Sequence, residues 1–409
     1  MRILHVPHAY HPVVGGAELI CKRVSEILVT KGHEVAVLTT DVGAVQAYYE
    51  YGVPRVADAA ATVEGVPVKR LEFSDAFYRA GGWADSHMRP RWIGRRFAGR
   101  MWRYLNRRLD RSITEEIRQW HPDVVMTMPH LVTNVRSVVA ARLQLGFPLV
   151  MVPMLHEQDP HIDIPGTTKG LSAADAVIAL TNHEAHRLAE SYGVARQKIF
   201  MASVGIDMAS ICLPEMDRQK RVVFLGRQVK SKGIGDLIEA MQHIWPDHSD
   251  AELVIAGIRL PESAEVDRQI TALPELWRDR VRNFGRISEA EKAELLRSAS
   301  CLVLPSKAES FGMVVLDAWT QETPTVTWDL PVFRDIVDHG NDGLLVDPNG
   351  GAVALAKAIE RLLSAPNEAK RMGRAGRRKA AASYSWASVA AVYLDACDYA
   401  VRHGRAQAN

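Results

Sequence analysis

Short apolar runs recur along the chain, each followed by a longer stretch in which apolar residues return at helical spacing. In the first half these runs are Ile3 to Val6, Val35 to Thr39, Val66 to Leu71, Val124 to Thr127, Leu149 to Val152 and Ala176 to Leu180. In the second half they are Arg221 to Leu225, Glu252 to Ala256, Val281 to Phe284, Cys301 to Leu304, Thr325 to Thr327 and Leu344 to Val346. Runs this short and this apolar read as strands buried on both faces, and their alternation with helices predicts an α/β protein with parallel sheets. The rhythm breaks between Ala202 and Arg221, where Gly205, Asp207, Pro214 and several charges interrupt it. That break predicts a linker between two doubly wound domains, residues 1–205 and 206–384. The last helix, within 385–409, is apolar on one face and is expected to cross back onto the first domain. A length of 409 residues agrees with two cores of about 200 residues each.

One segment departs from this regular pattern. Arg89 to Trp120 is long enough for a single helix of several turns, with Pro90 at its start. Met101, Trp102, Leu105, Leu109, Ile113, Ile117 and Trp120 fall on one stripe that should pack on the sheet. Arg96, Arg100, Arg103, Arg107 and Arg111 fall on the other side, with Ile93, Phe97 and Tyr104 beside them. Cations interleaved with exposed aromatics suit an anionic bilayer, at ~1 kcal/mol per basic residue. A solvated basic face and a protein-binding face are the alternatives. The net charge of the whole chain is only +2, so the basic character is local, and global nucleic-acid binding is not indicated.

Composition places the chain among globular proteins, with 47 % hydrophobic and 24 % charged residues. No apolar run approaches the ~18 residues a membrane span needs, and the start of the chain reads as a strand rather than a secretory signal. Cys21, Cys212, Cys301 and Cys397 are too scattered for a disulfide framework or a zinc site. The expected compartment is the cytoplasm, with peripheral attachment to the inner face of the membrane as an extension.

Candidate chemistry lies where strands run into helices. Glu309-Ser310-Phe311-Gly312-Met313-Val314-Val315-Leu316-Asp317 follows a buried strand and the Pro305-Ser306 turn. A helix is expected to start near Ser310, with the amides of Phe311, Gly312 and Met313 facing an anion and Asp317 two turns in. Gly226-Arg227-Gln228-Val229-Lys230-Ser231-Lys232-Gly233 occupies the first strand-to-helix turn of the second half. Arg227 and Lys232 there suit a diphosphate. In the first half, Gly15-Gly16 opens a helix and permits close approach, without being a dinucleotide fingerprint. His156 follows a strand at the carboxyl edge of the sheet, as a ligand donor or as a structural cap. His5, His8, His11 and His33 show no metal spacing.

Taken together, Gly15-Gly16, His156, Gly226-Arg227 to Lys232-Gly233, Pro305-Ser306, Glu309 to Asp317, Gly343 to Pro348 and Ser385-Trp386 resemble the family-4 retaining glycosyltransferases. These motifs span nearly the whole chain in the family's order. The resemblance implies a GT-B fold, two Rossmann-like domains facing across a cleft, with an acceptor on the first domain and a nucleotide-diphosphate sugar on the second. It implies no cofactor and no catalytic metal. Arg227 and Lys232 would neutralise the diphosphate, Glu309 would meet the sugar, and His156 would position sugar or phosphate. Gly15, Gly16 and the amides after Glu309 would line the donor. A UDP-sugar is the first candidate donor and a GDP-sugar the second. The acceptor would be lipid-linked or a glycolipid, with a small soluble metabolite as the alternative. A nucleotide-sugar epimerase or a silent binding module are the rivals from other classes. Three positions depart from the family pattern. Asp317 stands where a Glu is usual at the second acid, Val204-Gly205-Ile206-Asp207 alters an Asn-Gly, and Thr323 replaces a Gly before Pro324.

Overall fold

The computed structural model describes residues 1–44, 54–73, 107–129, 133–155, 167–208 and 218–404. These divide into two compact units. One holds the described residues up to 203 together with 386–404, and the other holds the described residues of 204–385.

In the first unit, β1 (Arg2–Pro7), β2 (Glu34–Thr40), β3 (Ala60–Val63), β4 (Val66–Leu71), β5 (Val124–Met128), β6 (Leu149–Met151), β7 (Ala176–Ala179) and β8 (Ile199–Met201) form one sheet. Its order is β3-β4-β2-β1-β5-β6-β7-β8. Every pairing is parallel except β3 with β4, an antiparallel hairpin at the edge that the apolar pattern missed. β3 is half exposed along its length, so it lacks the buried run that marks the central strands. β8 was also missed, for the same reason.

The helix Arg107–Trp120 carries the end of the expected amphipathic stripe: Leu109, Ile113 and Ile117 are buried, while Trp120 is partly exposed under the Arg2 guanidinium, 4.7 Å from its ring centre. Arg107 and Arg111 of this helix are exposed. Arg96, Arg100 and Arg103, with Ile93, Phe97 and Tyr104, lie outside the described residues. The last helix, Trp386–Gly404, packs within the first unit, against β6, β7 and the helix Gly16–Thr30. Its Tyr399 meets Phe200 edge to face at 5.4 Å, and Arg23 lies over Trp386.

In the second unit, β9 (Arg221–Leu225), β10 (Glu252–Ala256), β11 (Val281–Asn283), β12 (Cys301–Leu304), β13 (Thr325–Trp328) and β14 (Gly343–Val346) form a wholly parallel sheet. Its order is β11-β10-β9-β12-β13-β14. From β9 the chain runs outward to β11, then returns to place β12 on the other side of β9. The order reverses between β9 and β12, and the loops leaving their carboxyl ends therefore flank one crevice.

Among the described residues no helix is long and apolar enough to cross a membrane. Cys21, Cys301 and Cys397 are buried free thiols, while Cys212 lies outside the described residues.

Candidate functional site

The two loops at the switch point of the second sheet are locked together by backbone. After β9 the chain passes Arg227, makes a single turn over Lys230–Lys232, and enters the helix Ile234–Ile244 through Gly233. Gly233 has φ +71°, and a Cβ there would stand 1.9 Å from the Pro305 carbonyl oxygen. Only glycine allows both that conformation and that contact. The Lys307 amide then donates to the Ser231 carbonyl at 2.9 Å. Gln228, fully buried, pegs the loop to its other neighbours: its side-chain amide donates to Asn283 Oδ1 and the Phe284 carbonyl, and its own carbonyl accepts from Ser263 Oγ.

This packing brings Lys232 and Glu309 into contact. Lys232 Nζ lies 2.5 Å from Glu309 Oε1, and each side chain is only 10 % exposed. Ser306 Oγ donates to the same oxygen at 3.0 Å. The two charges expected to serve different parts of a ligand are thus spent first on each other. Arg227 is different. Half-buried in the same strand-to-helix loop as Lys232, its guanidinium makes no ion pair or hydrogen bond among the described residues, and a positive charge so placed is attracted to an anion.

The helix after Glu309 starts later than expected. It spans Val314–Thr320 with Met313 at its N-cap, and no side chain caps it, so Ser310 is not the cap. The reason is Gly312. At φ +88°, with Phe333 2.7 Å from where its Cβ would be, it holds residues 310–312 in a loop instead of a helical turn. The amides of Phe311, Gly312 and Met313 donate to no protein acceptor among the described residues. The later start also moves Asp317, which is the fourth residue of the helix and not two turns in.

Asp317 carries a partner that the sequence reading missed. Lys292, from the helix Glu289–Ser298, places Nζ 3.1 Å from Asp317 Oδ2 and 2.6 Å from Glu289 Oε2. Burial pushes the Asp317 pKa up and Lys292 pulls it part of the way back. For Lys292 burial works the other way, but Asp317 and Glu289 outweigh it and hold the ammonium pKa above its ordinary value. The signal that was available is the Ser288-x-x-Glu291 capping box, which sets the phase of that helix; nothing in the sequence names the partner.

Two other departures from the family pattern are structural. Thr323 is fully buried, donates to the Leu296 carbonyl at 2.7 Å and accepts from Arg218. Ile206, in the altered linker segment, donates its amide to the Tyr384 carbonyl and is bridged to Ser385.

In the first unit Gly15 is the extended N-cap of the helix Gly16–Thr30, and both glycines reach solvent. His156 lies outside the described residues. The residue before it, Leu155, is fixed by a carboxylate that the sequence reading overlooked: Glu184 Oε1 accepts from the Leu155 amide at 2.7 Å, and Oε2 from the Leu180 amide at 2.8 Å. Burial raises the Glu184 pKa to about 7 against these hydrogen bonds. His5 and His8 are buried and lowered to about 4 by desolvation, so they are neutral core histidines. Among the described residues no group of three His, Cys, Asp or Glu side chains is placed to hold a metal.

Two parallel, doubly wound units are the architecture of the GT-B glycosyltransferases. The family model for glycosyltransferase family 4 matches residues 14–210, and the model for glycosyl transferases group 1 matches residues 213–379. The chain belongs to the family-4 type of glycosyltransferase, which sets aside the epimerase and binding-module readings. It is similar to glycogen synthase of Mycobacterium tuberculosis, 28 % identical over 68 % of this chain and 70 % of that one. It is also similar to a D-inositol 3-phosphate glycosyltransferase of Pseudarthrobacter chlorophenolicus, 29 % identical over 69 % of this chain and 67 % of that one. Among solved structures it resembles Anabaena HepE in complex with UDP-glucose, with a TM-score of 0.72, 17 % identity and coverage of 97 % of this chain and 99 % of that one. At that identity the likeness carries the fold alone.

Proposed function

We propose that the chain is a retaining glycosyltransferase that takes a sugar from a nucleotide-diphosphate donor to an acceptor hydroxyl. The observation that carries this reading is the meeting of the two switch-point loops of the second unit. There the Arg227 guanidinium and the amides of Phe311, Gly312 and Met313, none of them partnered among the described residues, stand at the carboxyl edge of one sheet.

Breaking the bond between the anomeric carbon and the phosphate oxygen leaves negative charge on the diphosphate. Arg227 and the loop amides stabilise that charge, the electrostatic term that most lowers such a barrier. Lys232 adds positive charge beside them and holds Glu309, whose carboxylate addresses the donor sugar. The acceptor oxygen bonds to the anomeric carbon from the face the phosphate leaves, and the acceptor's proton passes to the departing phosphate oxygen. That exchange balances without a protein base. Asp317 accepts from a hydroxyl of the ribose.

UDP is the favoured nucleotide, supported by the UDP-glucose bound in HepE, with GDP second. The acceptor read from the basic helix is a lipid-linked or glycolipid hydroxyl at the cytoplasmic face of a membrane, supported by the exposed Arg107 and Arg111.

The test is thermal unfolding of the full chain against a panel of UDP- and GDP-sugars, followed by release of free nucleotide with candidate acceptors. A UDP-sugar at 100 times its Kd should stabilise the protein by about 2.7 kcal/mol. Arg227→Ala should lose most of that shift, with donor affinity falling by roughly 30-fold, the size of a charged hydrogen-bond pair. A protein that no nucleotide sugar stabilises has a different function.

A further inference from the structure

The helices Glu289–Ser298 and Val314–Thr320 lie side by side in the second unit, and each presents its fourth residue to the other. Lys292 therefore meets Asp317. The capping box of Ser288 and Glu291 fixes where the first helix begins: Ser288 Oγ accepts from the Glu291 amide, and Glu291 Oε2 accepts from the Ser288 amide. Gly312 sets the start of the second helix. The geometry of the pair is asymmetric. Asp317 receives Lys292 through Oδ2 only, while Oδ1 has no protein partner among the described residues, and the side chain keeps 19 % exposure. One carboxylate oxygen is tied back and the other is open.

Resting on the donor reading above, we infer that Lys292 is a positioning residue for donor recognition. It keeps Asp317 ionised and anchored through Oδ2, so that Oδ1 accepts a hydrogen bond from a hydroxyl of the nucleotide's ribose. A carboxylate one methylene shorter than glutamate is thereby given a fixed direction from a neighbouring helix. The physical need is visible in the surroundings. Burial disfavours the charged form of Asp317, and Glu289 adds like charge from the same helix as Lys292, so Lys292 is the group that offsets both. Other charged groups packed on this helix act at its far end. From the helix Pro366–Ser383, Arg377 reaches the Thr320 carbonyl and Arg374 pairs with Glu322. Ahead of β9, Arg218 reaches the carbonyls of Gln321 and Glu322.

The role predicts a pH signature that a purely structural lysine would lack. Without Lys292 the Asp317 pKa rises further, so the acceptor form is depleted at low pH and recovers as pH increases. Calorimetric titration of UDP into the full-length Lys292→Met variant, referenced to wild type at each pH between 6 and 9, reads this directly. The expected result is roughly ten-fold weaker binding at the acid end, the size of one charge-assisted hydrogen bond, closing toward wild type at the alkaline end. Lys292→Arg should restore a flat ratio, and Lys292→Gln, which keeps polarity without charge, should behave like Lys292→Met and replaces it if that variant does not fold. Asp317→Asn separates the two layers of the argument. If it binds UDP as tightly as wild type, the ribose contact is wrong and this inference falls with it. If it binds weakly while Lys292→Met shows a pH-independent ratio, the donor reading stands and only the role of Lys292 is overturned.

Discussion

The carboxyl edges of the two sheets both bury a glutamate, and they hold it by opposite means. At the first sheet Glu184 accepts from the backbone amides of Leu155 and Leu180 and makes no ion pair among the described residues. At the second sheet Glu309 is met by the ammonium of Lys232 and the hydroxyl of Ser306. Amides supply partial charges that cannot fully repay desolvation, and Glu184 is driven up to about 7. A full opposite charge at Glu309 repays much more of it. The lesson is that amides alone leave Glu184 proton-sensitive near neutral pH. The Glu309 site carries an internal ion pair with Lys232, while Arg227, in the same loop as Lys232, makes no ion pair among the described residues.

The largest test of that contrast is to remove the cation. Lys232→Met leaves Glu309 buried without its ammonium and should cost about 3–5 kcal/mol of stability, read as a fall in the denaturation midpoint. The double variant Lys232→Met with Glu309→Gln should regain most of it, because no uncompensated charge remains. A single variant as stable as wild type would mean that the pair is solvated in solution, and the comparison would break.

Next in size is the proton dependence of Glu184. Its folded pKa lies above the ordinary value of 4.5, so the folded state binds the proton more tightly than the unfolded one. The stability this confers is complete below pH 4.5 and is lost as pH rises through about 7, amounting to roughly 3 kcal/mol. Urea unfolding at a series of pH values from 4.5 to 8 should show that decline in wild type. Glu184→Gln should be less stable at the acid end, since its NH2 cannot accept from an amide, and should have lost the slope. An unchanged slope in the variant assigns the proton to another group.

The smallest effect sharpens the contrast at the surface. The first unit displays Arg107 and Arg111 on an exposed helical face, whereas the second buries Lys232. Neutralising both arginines should weaken co-sedimentation with anionic vesicles by about 1 kcal/mol per residue, and less at high salt. Equal vesicle binding by wild type and variant removes the membrane acceptor from the proposal and leaves the donor chemistry untouched.

Periodicity and local turn chemistry determined a good deal of this protein. The buried runs at β1, β5, β9 and β12 identify themselves because strands covered on both faces must be apolar throughout. The glycines at 226, 233 and 312 mark the strand-to-helix turns because those backbones approach a neighbour or need positive φ. The half-exposed β3 and the short β8 lack that signature. Which side chains meet was decided only by the tertiary structure. Lys232 and Glu309 lie 77 residues apart in sequence, and they touch because the sheet order reverses between β9 and β12. Lys292 and Asp317 meet because two independent helix starts set their phases, and Glu184 finds its amides where two strand ends converge. Spacing along a chain reports local geometry. The pairing of buried charges is a long-range property, set by topology and by the cost of leaving either partner alone.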